Sequence, residues 1–130
     1  MISIVIPNFN SGHLLVKNLP KLFKLLEQSK LEHEVIVTDD CSTDDSIEML
    51  KQVQHDIKII KSQKNTGFGS NVDRGVRAAK GEIVFILNAI DILPKESDYF
   101  KLMLEHFKDP AVFSVATAKQ EKETHGCGEI

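Results

Sequence analysis

Short apolar runs alternate with segments of helical spacing along this chain of 130 residues. The apolar runs predict strands at residues 2–6, 34–38, 57–60, 83–87 and 112–117. Between the first two runs, Leu15, Leu19, Leu22 and Leu26 recur at the spacing of an amphipathic helix. This alternation predicts a mostly parallel sheet with right-handed crossovers, and its continuously apolar strands require helices on both faces. The predicted fold class is therefore a doubly wound α/β domain.

Local signals refine the predicted elements. Pro7 is expected to stop the first strand, and Pro20 is expected to kink or break the first helix. Ser42, with an acidic residue three positions later, is typical of a helix start. The third helix is expected to end at Gly81. Val72, Val76 and Ala79 are predicted to lie on one face of this helix.

Size, composition and charge argue against several classes of protein. A chain of this length suits one domain, and 42% hydrophobic with 27% charged residues is ordinary for a folded protein. The net charge of −3 comes without a basic block, which counts against nucleic acid or an anionic membrane as the main partner. The first apolar run is far too short to span a bilayer, and it is not preceded by a basic segment typical of a signal peptide.

The two cysteines, Cys41 and Cys127, do not make a disulfide framework, which favours a reducing, cytoplasmic location. His125 and Cys127 are not predicted to bind zinc, because no second pair of ligands stands at zinc spacing. From Lys119 onward the chain is polar and contains glycine, so residues 119–130 are expected to form an exposed tail or the start of a truncated element.

Polar residues follow four of the predicted strands. Ligands of open parallel sheets bind outside the carboxyl ends of the strands, so these residues are expected to line one crevice. The candidates are Pro7, Asn8, Phe9, Asn10, Asp39, Asp40, Asn65, Gly67 and Asn88.

Several of these residues have two possible roles. Asp39 and Asp40 suit hydrogen bonds from a base imide or from ribose hydroxyls, or one of them serves only as a helix cap. Phe9 either stacks on a base or packs in the core. Asn10 is expected to cap the first helix rather than touch a ligand. Gly67 permits a positive φ and close approach to a ligand, although glycine-rich loops are also common turns.

Taken together, three motifs resemble family-2 glycosyltransferases of the GT-A fold, which is Rossmann-like. They span residues 4–10, 37–44 and 65–69, with Gly75, Ala79, Gly81 and Glu82 following, and the resemblance extends from residue 2 to about residue 94. Several motifs in the right order are far more specific than any one of them. The run Gly67-Phe68-Gly69 and the presence of Asn88 after the fourth strand look closest to rhamnosyltransferase-like members.

The resemblance implies an inverting enzyme of polysaccharide or cell-envelope biosynthesis. It would transfer a sugar from a nucleotide diphosphate to a hydroxyl of a saccharide or lipid-linked acceptor, in the cytoplasm or at the inner face of the membrane. Residues 1–118 would form the nucleotide-sugar-binding domain, and residues 119–130 a polar tail or the truncated start of the acceptor-binding half. The general base would lie beyond Ile130, so this chain alone is expected to be inactive.

The resemblance also implies roles for individual residues. Residues 7–9 and Asp40 would surround the base, with Asp40 accepting from the imide and Asp39 beside it. Asn65 and Gly67 would shape the floor near the ribose and the diphosphate.

A metal-binding Asp-x-Asp motif is expected after the fourth strand of such enzymes. Here Asn88 and Ile90 occupy the two acidic positions, and Ile90 offers no oxygen to Mg²⁺ or Mn²⁺. Asp91 is the one carboxylate left as a candidate metal ligand, so Ile90 counts against a bound metal.

Two other functions compete with sugar transfer. Ile90 favours a degenerate, non-catalytic nucleotide-binding or assembly module of the same fold. A receiver-like signalling domain would carry its acidic pair after the first strand and its phospho-acceptor aspartate after the third. Here the first strand leads into Pro7-Asn8 and the third into Lys61-Ser62, which argues against that class.

Overall fold

The computed structural model describes residues 1–88 and 98–116, and within them four parallel strands form one sheet in the order β3-β2-β1-β4. The strands are β1 (Ile2–Asn8), β2 (His33–Asp39), β3 (Lys58–Lys61) and β4 (Ile83–Ile86). The helices are α1 (Gly12–Ser29), α2 (Ser46–Lys51), α3 (Phe68–Ala78) and α4 (Tyr99–Glu105), followed by a 3₁₀ turn over His106–Lys108.

Helices cover both faces of the sheet, which confirms the predicted fold class. On one face, the leucines of α1 and Phe100 of α4 pack against inward residues of β1 and β2 in a single core. The leucine positions 15, 19, 22 and 26 are fully buried, as their spacing predicts. On the other face, α3 packs against Val5 and Thr38, the alternate positions of the same strands.

The two prolines interrupt neither element in which they lie. β1 continues through Pro7 to Asn8, because a proline is tolerated where the ladder needs no donor from it. The backbone groups of Asn8 point toward β2, because the Asn8 carbonyl accepts from the Asp40 amide. The backbone groups of Pro7 therefore point toward β4, and the paired register of β4 with β1 ends at Val5. Pro20 lies inside the continuous α1 on its exposed side, where burial of the leucine face outweighs one lost hydrogen bond.

The predicted start of the second helix at Ser42 is wrong. α2 begins at Ser46, and the Ser42 hydroxyl instead donates to the Asp39 carboxylate at 2.5 Å. The Asp44 carboxylate accepts hydrogen bonds from the Ser46 amide and hydroxyl and from the Gly12 amide. Asp44 therefore ties the start of α2 to the start of α1, a contact between residues far apart in the sequence.

The third helix ends earlier than predicted, and its predicted apolar face is not its buried side. Asn71 and Gly75 are the buried residues of α3, whereas Val76 is exposed and the helix ends at Ala78, before Gly81. A Cβ at Gly75 would overlap with the Val5 side chain and lie 2.9 Å from Thr38 Cγ2. The helix approaches the sheet so closely that only a residue without a side chain fits there.

The fifth predicted strand, at residues 112–117, is not present at 112–116, and Thr117 lies outside the described residues. Residues 112–116 form one wall of an open groove whose other wall is β4, and they do not hydrogen-bond into the sheet. A strand requires such a partner, and Phe113 is 94% exposed. Of the described helices, none combines the length and apolar character that a membrane span requires.

Candidate functional site

A cavity of about 330 Å³ opens at the carboxyl edge of the sheet. It is bounded by the segments that follow β1, β2 and β4 and by the loop between β3 and α3. Its lining residues are Pro7, Asn8, Phe9, Ser11, Asp40, Asn65, Gly67, Phe68, Asn71 and Asn88. The structure thus brings together seven of the nine predicted nucleotide-binding residues, whereas the other two, Asn10 and Asp39, do not line the cavity.

A buried polar network supports the cavity from below. The Asn8 side-chain amide donates to Asp39 at 2.7 Å, and Asp39 also accepts from the Ser42 amide and hydroxyl. Asn8 accepts in turn from the Ser11 amide. Asn8 and Asp39 are each only 2% exposed. Their role in this structure is to fix the two strand ends relative to each other, because buried polar groups are stable only when paired.

Asn10 does not cap the first helix. Its backbone has φ 53°, and its side-chain oxygen accepts from the amides of Thr43 and Asp44 at 2.7 and 3.2 Å. Asparagine tolerates this left-handed conformation better than most residues do. Asn10 therefore joins the loop after β1 to the loop after β2, 33 residues away.

The Asp40 carboxylate is bound by donors from the loop before α3 and from α3 itself. It accepts from the Thr66 amide and hydroxyl, the Gly67 amide and the Arg74 guanidinium, at 2.7–3.1 Å. Burial by itself would raise the pKa of Asp40, but these donors overcome it and lower the pKa from 3.8 to about 2. Asp40 is thus a charged latch that fixes the backbone of residues 66–67 beside the cavity.

Arg74 and Asn71 bind the residues that hold the strand ends, and neither was predicted from the sequence. The side-chain amide of Asn71 donates to the Asn8 and Thr38 carbonyls, and its side-chain oxygen accepts from Arg74. Arg74 also donates to Thr66 Oγ1 at 2.7 Å. Apolar periodicity could not find these residues, because α3 buries polar and glycine positions against the strand ends.

Gly67 is the N-cap of α3 and has φ 92° and ψ 166°, a conformation that is available almost only to glycine. We expect Gly67→Ala to lower the free energy of unfolding by about 1–3 kcal/mol, although a Cβ there would meet no atom within 4 Å. Gly69 is the matched control, because it lies in α3 with equally open surroundings. Gly69→Ala should be neutral or stabilise by up to about 1 kcal/mol. Urea denaturation followed by circular dichroism measures both, and equal effects would contradict the backbone argument.

Two aromatic side chains on the cavity wall remain exposed. Phe9 is 47% exposed and Phe68 is 61% exposed, so neither ring belongs to the core. Of the two roles predicted for Phe9, core packing is therefore wrong. Asn65 and Asn88 are also exposed at the cavity, and both carry amide groups suited to reading a polar ligand.

The metal prediction falls largely outside the described residues. Ile90, Asp91, His125 and Cys127 all lie there. Within residues 1–88 and 98–116, no group of three or more His, Cys, Asp or Glu side chains is placed to hold a metal ion. Asp39 and Asp40 have their oxygens engaged by internal donors.

The family model described as Glycosyl transferase family 2 matches residues 3–126. The chain belongs to glycosyltransferase family 2. Among curated members, it is 30% identical to poly(ribitol-phosphate) beta-N-acetylglucosaminyltransferase TarS of Staphylococcus aureus, over 82% of this chain and 19% of that protein. It is 32% identical to chondroitin synthase of Escherichia coli, over 97% of this chain and 18% of that protein. The chain thus spans about a fifth of the length of these family-2 relatives.

Solved structures of glycosyltransferases share the fold. The mannosyltransferase PcManGT from Pyrobaculum calidifontis, in complex with GDP-Man and Mn²⁺, matches with a TM-score of 0.79 and 22% identity, over 92% of this chain and 35% of that chain. TarS 1–349 of S. aureus in complex with UDP-GlcNAc matches with a TM-score of 0.62 and 26% identity, over 82% and 32%. These matches confirm the GT-A, Rossmann-like architecture, whereas the rhamnosyltransferase-like assignment stays a prediction.

Proposed function

We propose that residues 1–118 form the donor-binding domain of a glycosyltransferase that takes its sugar from a nucleotide diphosphate. The observation that supports this most is the convergence of four separate segments on one cavity at the carboxyl edge of a parallel sheet. That edge is where ligands of open α/β sheets bind. Family membership gives the reaction class, and the solved relatives include complexes with UDP-GlcNAc and GDP-Man.

The size and lining of the cavity suit the nucleoside end of the donor. About 330 Å³ is at the lower limit of small-molecule sites, so the sugar would extend beyond the described wall. Phe9 offers an exposed ring to the base, and Asn65 and Asn88 offer amides to the base edge and the ribose. Asp40 would act by fixing residues 66–67 near the diphosphate, where Gly67 lets the backbone come close. Asn8, Asn10 and Asp39 would hold the strand ends that carry these groups.

A divalent metal fits the family, since PcManGT was solved with Mn²⁺, but the described residues supply no cluster for one. Asp91, with Asn88 nearby in the sequence, is the ligand we propose on this chain. Such an ion would stabilise the charge of the leaving diphosphate. The acceptor, a saccharide or a lipid-linked sugar, and the general base would require residues outside this chain, so we propose that it binds donor without transferring sugar. The compartment we propose is the cytoplasm, or the inner face of the membrane.

Isothermal titration calorimetry with UDP, GDP, dTDP and ADP, each with and without Mn²⁺, tests donor binding. We expect one of them to bind and to raise the melting temperature. We expect Phe9→Ala to weaken that binding roughly 5- to 150-fold, because stacking on one base contributes about 1–3 kcal/mol. Phe113→Ala, at an exposed phenylalanine outside the cavity, is the control and should leave the affinity unchanged. No heat and no shift across the panel would favour a degenerate module instead.

A further inference from the structure

Phe68 is a large apolar side chain held in an exposed position at the first residue of α3. It lines the same cavity as Phe9, although the two come from segments about 60 positions apart in the sequence. The two rings make no ring contact with each other or with the aromatic cluster around Phe100. Single exposed apolar residues are ordinary on a protein surface, but two unstacked aromatic rings on one small cavity are an arrangement suited to a planar ligand.

The backbone around Phe68 is held on both sides by buried contacts. On one side, the Asp40 carboxylate binds the amides of Thr66 and Gly67. On the other side, the backbone amide of Asn71 donates to the Gly67 carbonyl. The side-chain amide of Asn71 donates to carbonyls at the ends of β1 and β2. Because the backbone is already ordered, a ligand that stacks on the Phe68 ring restricts only the side-chain torsions of Phe68. The small entropy cost favours affinity.

Resting on the proposed function, we propose that Phe68 is a base-binding residue that forms, with Phe9, an aromatic clamp on the two sides of the nucleotide base. Stacking tolerates any base, because every base has a π-face. The clamp therefore supplies affinity for the nucleoside as a class. Discrimination between bases is left to groups that read the base edge, of which Asn65 and Asn88 are the exposed amides on this wall.

The chain contains no tryptophan, which makes Phe68→Trp a spectroscopic probe of this site. Phe68→Trp should change its emission in a saturable way when it is titrated with whichever of UDP, GDP, dTDP and ADP binds the wild-type chain, whereas inorganic pyrophosphate, which lacks a base, should not change it. Phe113→Trp, outside the cavity, is the matched control and should not respond to the nucleotide or to pyrophosphate. Phe68→Ala should weaken nucleotide binding roughly 5- to 150-fold and leave the melting temperature unchanged, since the side chain is 61% exposed.

The outcomes separate the clamp from the proposed function. If calorimetry shows that one of these four nucleotides binds wild type while Phe68→Ala binds it equally well and Phe68→Trp emission does not change, the clamp is wrong and the donor-binding function stands. An equal response of Phe68→Trp to pyrophosphate and to the nucleotide would also overturn the clamp. If none of UDP, GDP, dTDP and ADP, with or without Mn²⁺, binds the wild-type chain, the proposed function fails and the clamp fails with it.

Discussion

Asp40→Ala is expected to lower the free energy of unfolding by about 2–4 kcal/mol. The substitution removes the acceptor of the Thr66 and Gly67 amides and of the Arg74 guanidinium at once. Removing one partner of a buried pair leaves the other charge without compensation, and here the loss is moderated because the Arg74 side chain keeps 26% of its surface exposed. Urea denaturation at pH 7, followed by circular dichroism, measures the difference from wild type.

The helix α3, which carries Arg74, also carries a matched control for this prediction. Arg77 and Asp73 form an ion pair at 2.7 Å one turn apart on α3, with 78% and 55% of their side chains exposed. Asp73→Ala breaks that pair and should change the stability little, because solvent screens exposed pairs. Equal losses in the two variants would mean that the Asp40 latch contributes no more than a surface ion pair.

The latch also predicts a pH dependence. Because the folded-state pKa of Asp40 is lowered from 3.8 to about 2, its contribution is fully present above pH 3.8 and is lost as the pH falls through 2. The difference corresponds to roughly 2 kcal/mol. In Asp40→Asn, which keeps the shape and removes the charge, the loss of stability between pH 4 and pH 2 should be smaller than in wild type by about this amount. Parallel pH profiles of the two proteins would contradict the assignment.

Asn71→Ala is expected to lower the free energy of unfolding by about 2–3 kcal/mol. The substitution removes the side-chain donor that reaches both strand ends, so the Asn8 carbonyl keeps only its bond from the Asp40 amide, and each lost hydrogen bond contributes about 0.5–1.5 kcal/mol. It also removes an acceptor of Arg74. The matched control is Asn18→Ala in α1, a half-buried asparagine whose side chain makes no hydrogen bond to the described residues. That control should stay within about 0.5 kcal/mol of wild type, and a similar loss in both would refute the role of Asn71.

The fold could be predicted from the sequence to a large extent, because its main features follow from local patterns. Runs such as Ile4-Val5-Ile6 indicate a strand covered on both faces, and the leucine spacing of α1 indicates its buried side. The face of α3 could not be found this way. Its packing depends on the fit of Gly75 against Val5 and Thr38, which apolar periodicity does not register.

The candidate site divides in the same manner. That the strand ends would meet at one edge follows from parallel topology, so the polar residues there could be named in advance. The hydrogen-bond partners of those residues could not be predicted in advance. Asp40 finds its donors 26 to 34 residues along the chain, and Asn71 reaches two strands at once. No local pattern marks such contacts. The fifth predicted strand failed for a related reason, because apolar character at residues 112–116 does not supply a pairing partner.

A nuclear magnetic resonance titration of the ¹⁵N-labelled chain, with the nucleotide that binds most tightly in calorimetry, locates the binding site on the sheet. We expect amide shifts to cluster at residues 8–11, 40, 65–71 and 88, the segments that surround the cavity. A second cavity, at the opposite edge of the sheet, is lined by Phe23, His33 and His55 among others, and its amides should stay unchanged. Shifts that cluster at that second cavity, or that spread over the surface without saturation, would contradict a nucleotide site at the carboxyl ends of the strands.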